Sequence, residues 1–386
     1  MILRQLIIIL LTCFNMKKVC LKLLFFVIVF SFPLFSQAQS LSGDQIYKAT
    51  VTKVIEQKIN TLPDGTNVEQ QKLELQIYSG DKKGETIVFN GIGNFDVAKK
   101  NLYKVDEQVL VDASVDDQGN LTYFVIDYVR TFGIKVLFFF FCLILLLVGG
   151  LKGIRSLFSL GISFLVIVNF IIPQILKGSN PFLICLLGAL FILIFSIYTT
   201  EGINNKSHVA IISILGGLVF TLLSAWFFVF LTKLSGMADE ETMYLINVAG
   251  KNINFYGLLL AGIIIGTLGV LDDVVISQIA IVEQLLSSSP YDSFKEIFVK
   301  AHKIGVSHIS SMTNTLFLAY AGASLPLLIL FKSGKSAFSN LGDVINNEAI
   351  ATEIVRTLTG SIGLMISVPI ATALAAWWFK KQQIEK

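Results

Sequence analysis

The stretch GTLGVLDDVVIS, Gly266 to Ser277, decides how this chain is read. From Phe255 to Leu271 no residue is charged. Asp272 and Asp273 then stand side by side, and Val274, Val275 and Ile276 resume the apolar run. About 20 consecutive apolar residues are what a helix needs to cross the hydrocarbon of a bilayer. An acid within such a run is costly, roughly 2.5 to 3.5 kcal/mol for one Asp at the centre of a span. Two adjacent acids cost more if both are ionised, so both are expected to face protein or water rather than lipid tails. Neighbours on a helix point about 100° apart. The two acids therefore do not form a facing pair: one points into a bundle while the other meets a second helix or solvent. An intramembrane aspartyl protease needs acids converging from two helices, and since no second transmembrane acid stands out, one is not expected.

The rest of the chain has the same character. Of 386 residues, 54% are hydrophobic and only 15% charged, whereas soluble domains carry about a quarter charged residues. Long uncharged runs with that balance make a multi-pass membrane protein. The net charge of +3 is small and dispersed, which argues against nucleic acid as a partner. Cys13 and Cys20 fall in the leader, and Cys142 and Cys185 fall in expected spans. None has metal-ligand spacing, so no metal or other cofactor is expected. There is also no Walker, HExxH or GxSxG motif, and an enzyme is not expected.

The N-terminus reads as a secretory signal. MKKVCLKLLFFVIVFSFPLFSQAQS begins at Met16, carries Lys17 and Lys18 before an apolar run, and offers Ser36-Gln37-Ala38 as a cleavage site. Residues 1–38 are assigned to this leader, with Met16 as the expected true start. Residues 39–130 change composition. KLELQIY puts Leu73, Leu75 and Ile77 on one face, with Lys72, Glu74 and Gln76 on the other. YKATVTKVIEQ, ETIVF, QVLVDASV and LTYFVIDYV read as further strands, and SGDKKGE and DDQGN as turns. The expectation is a small extracytoplasmic all-β domain, a barrel or sandwich of OB or SH3-like size, that binds an envelope protein or a substrate.

Residues 131–386 read as a helical membrane bundle. About seven spans are expected, at 133–150, 154–176, 180–199, 207–232, 254–278, 307–331 and 357–379. Starting outside, the connectors alternate, and the inner ones carry Lys152, Arg155, Lys206, Lys295, Lys300, Lys303, Lys380 and Lys381. This places the chain in a bacterial cytoplasmic membrane with the β domain outside. The inner connector from Tyr291 to Lys303 is amphipathic and is expected on the membrane surface. Asp239, Glu240 and Glu241 read as a solvated outer loop.

The span after the acids supplies polar partners: Ser310, Ser311, Thr313, Asn314 and Thr315. The fifth span runs inward and the sixth outward, so at ~1.5 Å per residue the two polar groups reach similar depth. Gly262, Gly266 and Gly269 would let a neighbouring helix approach closely. Asp272 and Asp273 are thus the candidate proton- or cation-binding residues. Two functions stay open: a proton- or cation-linked transporter or export-related protein, and a non-transporting scaffold whose polar residues lock helices together and whose β domain docks an envelope partner.

GTLGVLDDVVISQ, followed by HISSMTNTLFLAYAGASLPLLILF and by SIGLMISVPIATALAA, resembles the YibE/F-like family of bacterial membrane proteins over about residues 131–379. The resemblance implies a multi-pass membrane fold and no defined activity. A weaker similarity links Leu271–Val275 and Ser311–Thr315 to the two polar motifs of SecF-type subunits within the RND transporter group. It implies a titrating Asp273, or Asp272, since the alignment is ambiguous by one. Met312 stands where those proteins have a basic residue, so their acid–arginine couple is missing.

Overall fold

The structure, a computed structural model, describes residues 45–61, 67–93, 102–115, 121–238, 242, 244–246, 253–333 and 340–384. The leader and the acids at 239–241 lie outside the described residues. The chain divides into two compact units, Met1–Phe138 and Phe139–Lys386.

The first unit holds five strands: β1 (Gln45–Thr61), β2 (Asn67–Ile77), β3 (Thr86–Asn90), β4 (Gln108–Val115) and β5 (Leu121–Tyr128). They form one sheet in the order β3-β2-β1-β4-β5, with every neighbouring pair antiparallel. The alternation of the sequence sets the face. Leu73, Leu75 and Ile77 of β2 join Tyr47, Ala49 and Val51 of β1 and Val109 and Val111 of β4 in one core. The sheet curls until its two ends, β3 and β5, approach each other. β1 runs four residues beyond the expected strand end at Gln57. Two bulges, between Val51 and Lys53 and between Val54 and Glu56, break its alternation and mask that extension in the sequence.

Nine helices follow among the described residues. They are α1 (Thr131–Val166), α2 (Ile172–Leu176), α3 (Pro181–Thr200), α4 (Asn205–Leu231), α5 (Phe255–Ser288), α6 (Phe294–Ala323), α7 (Leu325–Lys332), α8 (Leu341–Asn346) and α9 (Glu348–Ile384). A π-helical turn, Ile167–Ile171, joins α1 to α2. Five helical runs are long and apolar enough to cross a membrane, and six if α6 and α7, bent by 65°, count as one broken span. The spans expected at 133–150 and 154–176 lie in a single run, Thr131–Leu176. That run is not straight. Gly150 leaves helical geometry at φ 54° and ψ −130°, and a Cβ on Gly153 would overlap the carbonyl oxygen of Leu145. In a straight helix those residues lie about 12 Å apart along the axis, so the chain folds back at Gly150.

The helices start where caps allow. Asn180, Asn204 and Asn254 accept from the backbone N–H groups that begin α3, α4 and α5. Ser293 and Glu296 form a capping box at the start of α6. The amphipathic connector expected on the surface is in fact the first part of α6, because Ile297 and Ala301 enter the bundle core. α5 and α9 sit centrally: α9 packs on α4, α5 and α6, and α5 also packs on α3, α4 and α6. The core joins Leu193 and Ile197 of α3, Ile214 and Leu218 of α4, Leu271 and Val275 of α5, and Leu364 and Val368 of α9.

The α4–α9 crossing is closed by two reciprocal fits. A Cβ on Gly217 would overlap Ser367 Oγ, and a Cβ on Gly363 would overlap Thr221 Oγ1. Each hydroxyl bonds a carbonyl of its own helix, Ser367 to Gly363 at 2.7 Å and Thr221 to Gly217 at 3.0 Å. Missing side chains on one helix thus receive hydroxyls from the other.

Candidate functional site

α5 passes through Asp272 and Asp273 without a break. The two side chains therefore diverge as helical geometry requires. Asp272 is half-buried and Asp273 exposed. Asp272 turns toward α3, where Ser196 and Glu201 face it. Its Oδ1 is buried and has no hydrogen-bond partner among the described residues. Asp273 turns toward α6, where His308 faces it. Glu201, at the end of α3, also pairs with Lys152 of α1 at 3.3 Å. Three residues before it, the Tyr198 hydroxyl lies 2.9 Å from His208 Nδ1 of α4.

Two further polar levels flank the acids along α5. Toward the C-terminal end of α5 Gln278, only 1% exposed, donates to Ala301 O of α6 at 3.0 Å and to Thr372 Oγ1 of α9 at 2.7 Å. Gly305 makes room for it, since a Cβ there would stand 2.7 Å from Gln278 Oε1. Toward the N-terminal end of α5, Arg356 and Glu353 of α9 pair at 2.6 Å. Arg356 Nη2 lies 3.9 Å from where a Cβ of Gly262 would stand, and the Tyr320 hydroxyl of α6 lies 3.1 Å from that of Gly266. From Gly262 to Asp272 is about 15 Å along the axis. Gly269 has nothing within 4 Å of its Cβ direction.

Of the polar partners expected on α6, Thr313 is half-buried, and its Oγ1 is buried without a partner among the described residues. Ser310, Ser311, Asn314 and Thr315 are exposed. The face of α6 that packs on the core is Ile309, Met312 and Leu316. Similar depth is not the same as facing inward: the 3.6-residue period turns the hydroxyls away from the core.

Sequence reasoning passed over Ser196, Glu201, Gln278 and the Glu353–Arg356 pair. Glu353 and Arg356 stood three apart just ahead of the last expected span, a spacing that pairs on a helix. Gln278 closed the very motif that drew attention. Among the described residues no group of three or more His, Cys, Asp or Glu side chains could hold a metal ion. Cys142 and Cys185 are both buried and free.

The model of the family described as YibE/F-like protein matches residues 137–381. The chain belongs to the YibE/F-like family. The matched region of this YibE/F-like protein holds every residue named in the three polar levels of α5. The β sheet lies ahead of it. Neither a curated protein nor a solved structure matches the chain.

Proposed function

We propose that this YibE/F-like protein is a proton- or cation-linked transporter or export-related protein, with Asp272 as the group that takes the ion. One observation carries the reading. Asp272 Oδ1 is buried on an unbroken helix and has no hydrogen-bond partner among the described residues. Buried acceptors are almost always satisfied, and a proton or cation is the partner that a carboxylate can take up and release. Ser196 and Glu201 face Asp272, and Glu201 pairs with Lys152, whose side of the bundle is the inner one in this reading.

The finer topology belongs to the same reading. Seven crossings are supported by the fold-back at Gly150 and by the bent α6–α7 pair. The 46-residue run Thr131–Leu176 would measure ~69 Å as one straight helix, over twice the ~30 Å hydrocarbon core. In this reading the chain enters a bacterial cytoplasmic membrane behind a signal peptide. It carries a barrel of OB or SH3-like size outside, where an envelope protein or a substrate docks. The scaffold reading draws on one observation of its own, the exposed hydroxyl-bearing face of α6.

Difference infrared spectra of the full-length protein in lipid nanodiscs, taken between acidic and neutral buffer, test the assignment. The C=O stretch of a protonated carboxylic acid is expected in the wild type. It should be lost in Asp272→Asn and retained in Asp273→Asn. An unchanged band in a folded Asp272→Asn protein sinks the ion site. Loss of folded protein in that variant favours the scaffold.

A further inference from the structure

α5 and α6 each leave one face uncovered. On α5, Gly262, Gly266, Gly269, Asp273, Ser277 and Ala280 recur at helical spacing and are all exposed. Within the chain Arg356 reaches toward Gly262 and the Tyr320 hydroxyl toward Gly266, and the stripe is open from Gly269 on. On α6 the exposed stripe is Ser307, Ser310, Ser311, Asn314 and Thr315, at i, i+3, i+4, i+7 and i+8. The hydroxyls of Ser310 and Ser311 and the amide of Asn314 have no hydrogen-bond partner among the described residues. Thr315 only bonds back to Ser311 O, at 3.0 Å.

α1 is the contrast. It is just as poorly covered, but what it shows is Phe139, Phe140 and Phe141, at 51%, 53% and 45% exposure. Lipid tails solvate that surface. They do not solvate a carboxylate, hydroxyls and an amide. The α5–α6 face therefore calls for a protein surface with small and polar residues of its own.

The two stripes are complementary to each other. The α5 stripe is mostly glycine and alanine around one acceptor, the Asp273 carboxylate. The α6 stripe offers hydroxyl and amide donors. Within one chain they lie on neighbouring helices and are both turned outward, while His308 faces Asp273. A two-fold axis solves this. The α6 stripe of one copy lies on the α5 stripe of another, and the reverse contact forms at the same time. Small residues let the helices close, and the hydroxyls reach the acid.

We infer that a second copy of this chain covers this face, with Asp273 of each copy accepting hydrogen bonds from Ser310, Ser311 or Asn314 of the other. Asp273, which His308 of its own chain also faces, gains hydroxyl or amide donors in that dimer. The pairing does not depend on whether Asp272 takes an ion, because Asp272 faces α3 instead.

Two differently tagged full-length copies test this in membranes, with the native cysteines replaced, one carrying Gly269→Cys and the other Ser311→Cys. Mild oxidation is expected to give a disulfide-linked species that carries both tags. A thiol pair that stays unlinked while both positions react with a water-soluble maleimide makes the face a water-filled cleft and overturns the dimer. Cross-links only to other proteins, or only within one chain, overturn it as well. Gly269→Leu supplies an independent check. A Cβ at Gly269 meets nothing within 4 Å, so folded yield should be retained while the mass in nanodiscs falls from dimer to monomer. A dimer mass that survives this substitution rejects the interface. The infrared band assigned to Asp272 should be unaffected by either outcome.

Discussion

The β sheet and the helical bundle fill their interiors in opposite ways. In the sheet the core is Tyr47, Val51, Leu73, Leu75 and Val111, and polar residues such as Thr52 and Gln76 are exposed between them, along with Ile46, Ile59 and Val88. In the bundle Ser213, Thr221, Ser367 and Thr372 are wholly buried, while Phe140, Phe191 and Trp226 are more than half exposed. The difference follows from the solvent. Water drives large apolar side chains inward. Lipid gives no such drive between helices, so bundles close by small residues, close backbones and hydrogen bonds. The same substitution should therefore have different consequences in the two units.

The largest contrast is expected at glycine. Gly217→Val or Gly363→Val puts atoms where Ser367 Oγ or Thr221 Oγ1 stands. The α4–α9 crossing should then lose about 3 kcal/mol or more, at the upper end of overpacking costs. Thermal unfolding in detergent should show little folded protein. Gly133→Ala, which meets open space, should be silent by the same measure. If Gly217→Val melts like Gly133→Ala, the bundle is not closed by that approach.

A pair of buried glutamines sharpens the comparison. Gln71 of β2 receives Tyr103 N–H at 2.8 Å and donates to Tyr103 O at 3.1 Å. Gln71→Leu would orphan two backbone groups, a cost on the order of 2 kcal/mol. Hydrogen exchange of β2 amides in the intact chain should speed up about thirtyfold where they open with that unit. Gln278→Leu removes two bonds of the same kind from the bundle. Its cost is expected to be smaller, about 1 kcal/mol, because the unfolded chain in a membrane also finds partners. A bundle glutamine that proved costlier than the sheet glutamine would reverse the order argued above.

What was legible in the sequence follows the same division. The five strands were readable because period-two alternation against water marks both element and face. The lost part, the far end of β1, lies beyond two bulges that flip the alternation. The apolar helices were readable from length alone. Their orientation was less so. Depth placed Ser310–Thr315 level with Asp272, yet the Ile309, Met312 and Leu316 period that turns them outward was also present in the sequence and went unused. Ser196 and Glu201 were beyond reach for a different reason. Lipid-exposed helices carry no mark of which helix is their neighbour, so the α3–α5 contact emerges only in three dimensions.

The smallest effect, confined to high pH, comes from Tyr103. Its ring packs against Tyr128 with centroids 4.8 Å apart, and burial pushes its hydroxyl from 10.0 up to about 12. The neutral phenol is the form that the fold holds, while the unfolded chain ionises near the ordinary value. Stability from this group is therefore complete below pH 10 and is lost as pH rises from 10 toward 12. Tyr103→Phe should leave the sheet unchanged at neutral pH and shift its alkaline unfolding upward, read by hydrogen exchange of β1 and β2 in the full chain. Apolar burial in water makes this group sensitive to base. If the variant and the wild type unfold at the same alkaline pH, the sheet core does not hold that phenol as closely as its packing on Tyr128 implies.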